Sequence, residues 1–145
     1  MPTGSRNDPY RSYNFLVEID GITRAGFREC SGLDSSIPAV EYREGNEITL
    51  TARKLPGQVK YSNITLKWGI TNDTELVDWH LKAASGKVER RNFSIVLLDD
   101  AREEKLRWNF REAWPTKWTG PSFNATGTEV AIETLEIVHE GMQKG

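Results

Sequence analysis

The chain has 145 residues, 19 basic and 21 acidic, for a net charge of −2, with one cysteine and two histidines. That length makes one ordinary domain, able to bury roughly two-thirds of its unfolded surface, and the near-neutral balance gives no reason to expect a polyanion or an anionic membrane as partner. The polar start, Met1 to Tyr10, has no signal-peptide core, and no stretch is long and apolar enough to span a bilayer, so a soluble chain synthesised in the cytoplasm is expected.

Residues 1–9 read as a flexible arm. Tyr13, Phe15, Val17 and Ile19 then alternate with Asn14, Leu16, Glu18 and Asp20, the period of a half-buried strand, and Asp20-Gly21 is a favoured hairpin dipeptide. A second strand from Thr23 to about Leu33 alternates more weakly because Gly26, Cys30 and Gly32 are small. Cys30, the lone cysteine, reads as a small buried thiol. Between Asp34 and Lys60, Pro38, Gly45, Pro56 and Gly57 punctuate a segment whose Ile37, Val40, Tyr42, Ile48 and Leu50 keep strand-like spacing. A connection that long is either an extra hairpin on the same domain or an extension towards a partner.

The stretch from Arg53 to Gly69 organises the centre of the chain. A Pro56-Gly57 turn leads into Val59, Tyr61, Ile64, Leu66 and Trp68, whose shift from odd to even positions predicts a bulge near Ser62 or Asn63. Asn72 with Glu75 has the spacing of a capping box, and one helix follows over 73–85. Leu76, Trp79, His80, Ala83 and Ala84 form its apolar face, and Gly86 its terminator. Trp79 reads as a core anchor. His80 reads as a packed or interfacial residue, since no second ligand stands at metal spacing.

Phe93 to Leu98 is apolar on both faces, as in the middle of a packed sheet. After a hairpin connection at 99–103, Leu106, Trp108 and Phe110 alternate with Arg107, Asn109 and Arg111, giving one buried and one cationic polar face. Ala113-Trp114-Pro115 is expected to end that strand, with a loop or short edge element over 116–127. A last strand runs from Val130 to His139, with a second bulge between Ile132 and Leu135, and 141–145 is a tail. The fold class that results is mainly β: an antiparallel β-sandwich or barrel, one domain over 1–145, with one flanking helix.

Residue chemistry offers no enzyme. Asp99-Asp100 and Glu103-Glu104 sit at a hairpin tip rather than face to face in a cleft, His80 and His139 have no nucleophile motif around them, and the glycines of 120–127 lack the lysine of a phosphate loop. Four Asn-X-Ser/Thr sequons, at Asn63, Asn72, Asn92 and Asn124, are chance combinations in a chain with no secretory signal. No cofactor is expected. The alternation places Trp108 opposite Arg107 and Arg111, against a stacking platform for nucleic acid.

Short pieces spread along the chain carry a family resemblance. They are Tyr13-Asn14-Phe15-Leu16-Val17-Glu18-Ile19, Cys30-Ser31-Gly32-Leu33-Asp34, Glu41-Tyr42-Arg43-Glu44-Gly45, Lys54-Leu55-Pro56-Gly57 and Asn63-Ile64-Thr65-Leu66-Lys67-Trp68-Gly69. Glu75-Leu76-Val77-Asp78-Trp79 and Ala113-Trp114-Pro115-Thr116-Lys117 follow, the latter leading into Gly120-Pro121-Ser122-Phe123-Asn124-Ala125. In this order the chain resembles the inner-tube proteins of contractile phage tails and phage-tail-like extracellular injection systems. The resemblance implies a structural subunit forming homo-hexameric rings that stack as a tube inside a contractile sheath. Baseplate or tube-initiator and tail-terminator proteins would be further partners, cargo protein or DNA would pass through the lumen, and no membrane anchor is implied. Such a subunit is made in the bacterial cytoplasm and resides in the particle. It further implies that 34–60 is an extended loop or hairpin for contacts between subunits, through Tyr42, Arg43, Glu44, Ile48, Leu50, Arg53, Lys54 and Leu55, and that Arg107, Asn109 and Arg111 are candidates for the lumen. The other class to weigh is a monomeric small β-barrel binding a ligand, polysaccharide or nucleic acid.

Overall fold

A computed structural model describes residues 9–12, 14–20, 22–24 (backbone), 26–43, 45, 53–127 and 129–145. The strands are β1 Phe15–Ile19, β2 Ile22–Arg24, β3 Phe27–Ser31, β4 Ala39–Tyr42, β5 Arg53–Pro56, β6 Ile64–Gly69, β7 Arg91–Leu98, β8 Glu104–Thr119, β9 Ile132–Val138 and β10 Gly141–Lys144, with one helix, α1, at Glu75–Ala84. The main sheet is antiparallel in the order β2-β1-β7-β8-β9-β6-β3, and β10 adds to β8. Its two ends, β2 and β3, are separated in sequence by only Ala25 and Gly26, so the path curls back on itself in the manner of a sandwich or barrel. The mainly-β expectation with one helix holds.

Strand β8 makes the curl possible. Residues up to Ala113 pair with β7 and β10, and Trp114 to Thr119 pair with β9. At the changeover Glu112 takes φ 51, with its N–H donated to Asn92 Oδ1 at 3.1 Å, and Ala113 is fully buried. Pro115, expected to end this strand, instead lies beside the register shift at Pro115/Lys117, where the ladder is interrupted and a missing N–H is tolerated. The first four residues of the expected loop at 116–127, Thr116 to Thr119, are therefore strand, and the rest is irregular.

The inward faces make the core. Val17, Ile19, Phe93, Ile95 and Phe110 meet Ile64, Leu66, Trp68, Leu135 and Ile137, closed by Phe27 and by Leu76 and Trp79 of α1. Phe93 stacks on Phe110 with centroids 4.5 Å apart, and Phe27 meets Trp68 edge-on at 5.9 Å. Each such side chain contributes about 1.5–3 kcal/mol by leaving water. β7, apolar on both faces, lies between β1 and β8.

Four local readings change. The switch of phase at Ser62-Asn63 is no bulge: only Lys60 bridges, to Ser36, and the strand begins at Ile64. Thr74, not Asn72, is the helix N-cap. Its side chain makes no capping bond, and Asp73 Oδ1 accepts the Glu75 N–H at 3.1 Å. β9 pairs with β6 without a register shift from Ile132 to Ile137. The break in its apolar pattern arises because the buried inward position 133 is a glutamate. Residues 141–144, expected as a tail, form β10 against β8.

Other readings stand. Asp20, φ 45, occupies the tight turn flanked by the Ile19–Ile22 pair. Gly86, φ 98, ends α1: its N–H bonds Ala83 O and that of Lys87 bonds Lys82 O, the double bond pattern of a Schellman terminus. Trp79 is buried, donates Nε1–H to Glu89 O at 2.8 Å and carries Arg91 over its ring. His80 Nδ1 is packed 3.4 Å from Pro115 O. The arm at 1–8, Tyr13 and Gly21 lie outside the described residues.

Candidate functional site

Two surfaces gather the residues singled out in the sequence. The first is the ribbon of β4 and β5, which among the described residues pair only with each other, in the register Ala39–Pro56, Val40–Leu55, Glu41–Lys54 and Tyr42–Arg53. Alternation places Val40, Tyr42, Arg53 and Leu55 on one face, with Glu41 and Lys54 on the other. Every residue of both strands is exposed. The root is tied down by Gly57 N–H to Pro38 O at 2.8 Å, the Ser36–Lys60 bridge, and Ser62, whose hydroxyl and N–H both donate to the Asp34 carboxylate. An isolated two-stranded ribbon is marginal in water, and this one bares a valine, a tyrosine and a leucine to solvent. Arg43 follows directly on β4. Glu44, Ile48 and Leu50 lie outside the described residues.

The second is the outward polar face of β1, β7, β8 and β10. Arg107 forms a bidentate pair with Glu18, at 2.8 and 3.3 Å, and another with Glu104, at 2.7 and 3.1 Å. These carboxylates push its guanidinium above the usual range, and Arg107 in turn holds Glu104 below the ordinary carboxylate value. Because Glu18 and Arg107 lie on strands either side of β7, their bridge crosses it. That crossing explains why Val96, on this polar face, is 1% exposed. Asn109 accepts the Ser94 hydroxyl at 2.6 Å, and Arg111 donates to Glu140 O at 3.1 Å. Gly141 makes room for that guanidinium, since a Cβ there would come within 2.7–2.9 Å of it. A shallow depression of about 390 Å³ runs between these groups, lined by Glu18, Asp20, Ser94, Asn109, Arg111 and Gln143. The face is polar, hydrogen-bonded within itself and mixed in charge.

Sequence spacing identified the cations of this face but not their partners. Glu18 reaches Arg107 only through the strand order β1-β7-β8, and β10, which supplies Gly141 and Gln143, had no strand signal.

Cys30 is half-buried against the core, and burial together with neighbouring Glu29 pushes its thiol up to about 11, which favours the protonated form at neutral pH. His139 lies between Tyr61 and Phe110, with ring centroids at 5.4 and 4.8 Å, and its Nδ1 is buried without a hydrogen-bond partner. Burial holds this imidazole below its usual value, against the opposing pull of the Ser62 and Gly141 backbone. The neutral form is therefore favoured by folding. Its stabilisation is complete above the unfolded value of about 6.5 and is lost as pH falls through the lower folded value. Thermal midpoints compared at pH 7.5 and 5 are expected to fall further for the native chain than for His139→Phe; equal falls would remove His139 as the cause.

The family described as T4-like virus tail tube protein gp19 matches residues 11–143. A chain in the sheath–tube complex of the extracellular contractile injection system PVC, in its extended state, is 34% identical, with 94% of this chain and 91% of that one covered and a TM-score of 0.84. A chain in the PVC sheath/tube terminator is 33% identical, with 96% and 98% covered and a TM-score of 0.86. Hcp1 from Flavobacterium johnsoniae shares the fold, at 17% identity, 91% and 94% coverage and a TM-score of 0.55. No curated protein matches the sequence. With a family match over nearly its whole length and close structural counterparts in sheath–tube complexes, the chain belongs to the T4-like virus tail tube protein family and is a structural subunit of a contractile tail tube.

Proposed function

We propose that six copies close into a ring, that rings stack through the β4–β5 ribbon, and that the stack is the inner tube of a contractile injection particle, a conduit for cargo protein or DNA. The observation that carries this reading is the ribbon itself: two antiparallel strands that pair with no other described strand, with Val40, Tyr42 and Leu55 exposed on a well-packed domain. Tyr42, Arg43, Arg53, Lys54 and Leu55 are its described contact residues, with Glu44, Ile48 and Leu50 assigned to the same role from the resemblance. The face of Arg107, Asn109 and Arg111 lines the lumen. The layer that bears it, β2-β1-β7-β8-β10, has β2 at one edge and β10 at the other. These edges pair with those of neighbouring copies, which solves the problem an open edge otherwise poses.

The relatives occur in structures of a sheath–tube complex, a baseplate and a tube-terminating cap. On that analogy a contractile sheath protein, a baseplate initiator and a terminator are this subunit's partners. It is made in the bacterial cytoplasm and resides in the particle. No helix among the described residues is long and apolar enough to cross a membrane, and the subunit acts by contact, without turnover.

Negative-stain electron microscopy over a concentration series, with mass from light scattering, tests the reading. Rings and stacked tubes with a central hole are expected. A chain that stays single even on its matched baseplate would overturn it.

A further inference from the structure

The root of the β4–β5 ribbon is joined to the domain through aromatic rings. Between the Lys60 bridge and the start of β6, Tyr61, Ser62 and Asn63 belong to no strand, and Lys60, Ser62 and Asn63 are exposed. Two side-chain contacts fasten this stretch: Asn63 Nδ2 donates to Glu136 Oε1 at 2.7 Å, and the Tyr61 ring lies against His139. Tyr61, His139, Phe110 and Phe93 form a row of four rings, with successive centroids 5.4, 4.8 and 4.5 Å apart, that runs from the exposed root into the core.

His139 is the member of this row that can gain a proton near neutral pH. It forms, with Glu140, the two-residue link between β9 and β10. Arg111 holds that link in place, since the Glu140 N–H donates to Arg111 O at 3.0 Å and the Arg111 guanidinium donates to Glu140 O at 3.1 Å. The imidazole is wedged between Tyr61 and Phe110 with Nδ1 buried and without a partner. The charged groups on the surrounding elements are Asp34 and Lys60 at the root, Arg111 and Glu112 on β8, Glu136 on β9, Lys144 on β10 and Glu140 on the link itself. None of them acts on the ring: burial disfavours its cation, and only the Ser62 and Gly141 backbone offsets part of that cost.

A protonated ring is relieved only by reaching water, and one of its two neighbours must give way. Phe110 is 1% exposed and stacked on Phe93, whereas Tyr61 is half-buried on a stretch outside any strand. Tyr61 therefore yields first. We propose that His139 is an acid-sensitive latch: neutral, it seats Tyr61 and holds the ribbon's root on the domain; protonated, it swings towards water, displaces Tyr61 and frees the root. Because folding favours the neutral ring, the latch is closed above the unfolded value of about 6.5 and opens as pH falls through the lower folded value. This behaviour belongs to the single chain and holds whether or not the ribbon stacks rings. For a tube built through the ribbon, it is a means of release in acid surroundings.

Amide hydrogen exchange on the single chain at pH 7.5 and 5, expressed as protection so that the chemical exchange rate cancels, tests the latch. The reporters are the N–H groups of Ser36, Gly57 and Lys60, which donate across the root to Lys60 O, Pro38 O and Ser36 O at 2.9, 2.8 and 2.7 Å, acceptors that do not titrate. At pH 5 the native chain is expected to lose protection at these three amides by a larger factor than at the amides of β6 and β7. His139→Phe, which keeps a ring in the row but cannot take up a proton, is expected to retain it. Unchanged protection in the native chain, a loss spread evenly over root and core, or the same loss in His139→Phe would each overturn the proposal. If His139→Phe does not fold, nuclear magnetic resonance of the native chain decides. The Tyr61 ring signals are then expected to shift with the midpoint of the His139 imidazole and not with that of His80, and a Tyr61 ring indifferent to His139 would overturn the latch.

Discussion

Alanine in place of Gly32 is expected to destabilise the chain by about 3–5 kcal/mol, read as a fall in the midpoint of guanidinium unfolding at unchanged slope. Gly32 has φ 93, a region that side chains rarely adopt, and a Cβ built there overlaps the Asn63 carbonyl oxygen and lies 3.0 Å from its carbon. Neither neighbour can give way cheaply. Asn63 leads into Ile64, which is fully buried, and its side chain donates to Glu136 Oε1 at 2.7 Å. On the other side Gly32 follows Ser31, which is paired with Thr65. The methyl group would thus force apart the two strands from which the ribbon emerges. Gly26→Ala is the control: nothing lies within 4 Å of a Cβ there, and an effect within about 0.5 kcal/mol is expected. Equal losses at the two sites would show that backbone crowding is not the cause.

Val40→Asp together with Leu55→Asp is expected to abolish stacked tubes while leaving the thermal midpoint of the single chain nearly unchanged. These residues face each other across the ribbon and are 51 and 47% exposed, so neither belongs to the core. Each contributes up to about 1.5–3 kcal/mol when buried against a neighbour. Removing both raises the concentration needed for growth a hundredfold or more, since 1.4 kcal/mol is a factor of ten, and two carboxylates opposite each other also loosen the pairing. Pelleting and electron microscopy read the loss, and circular dichroism melting checks that the fold survives. Tubes at the native threshold would show that the ribbon does not carry the stack.

How much of this was legible in the sequence follows from the range of the interactions involved. Periodicity reports which face of a segment is apolar, so the strands at Phe15–Ile19, Phe93–Leu98 and Leu106–Phe110, the helix around Trp79, and the turn and terminator at Asp20 and Gly86 could be read locally. It misleads where an inward position is polar for a reason elsewhere in the chain. Glu133 sits in the core pattern of β9 because Trp118 lies beside it in space, and from the sequence that looked like a bulge. β10 has almost no apolar content and exists because β8 offers it an edge.

By itself the sequence determined a mainly-β domain with one helix, a buried aromatic core, a cationic stripe at Arg107 and Arg111, and, through the order of its short motifs, kinship with tube subunits. Those properties depend on hydrophobic spacing and local backbone preference. Only the tertiary structure decided that Pro115 lies within a strand, that Glu18 and Glu104 pair with Arg107, and that the β4–β5 ribbon stands apart from the main sheet. Each depends on which strands become neighbours, and that choice is made by packing between residues far apart in the chain.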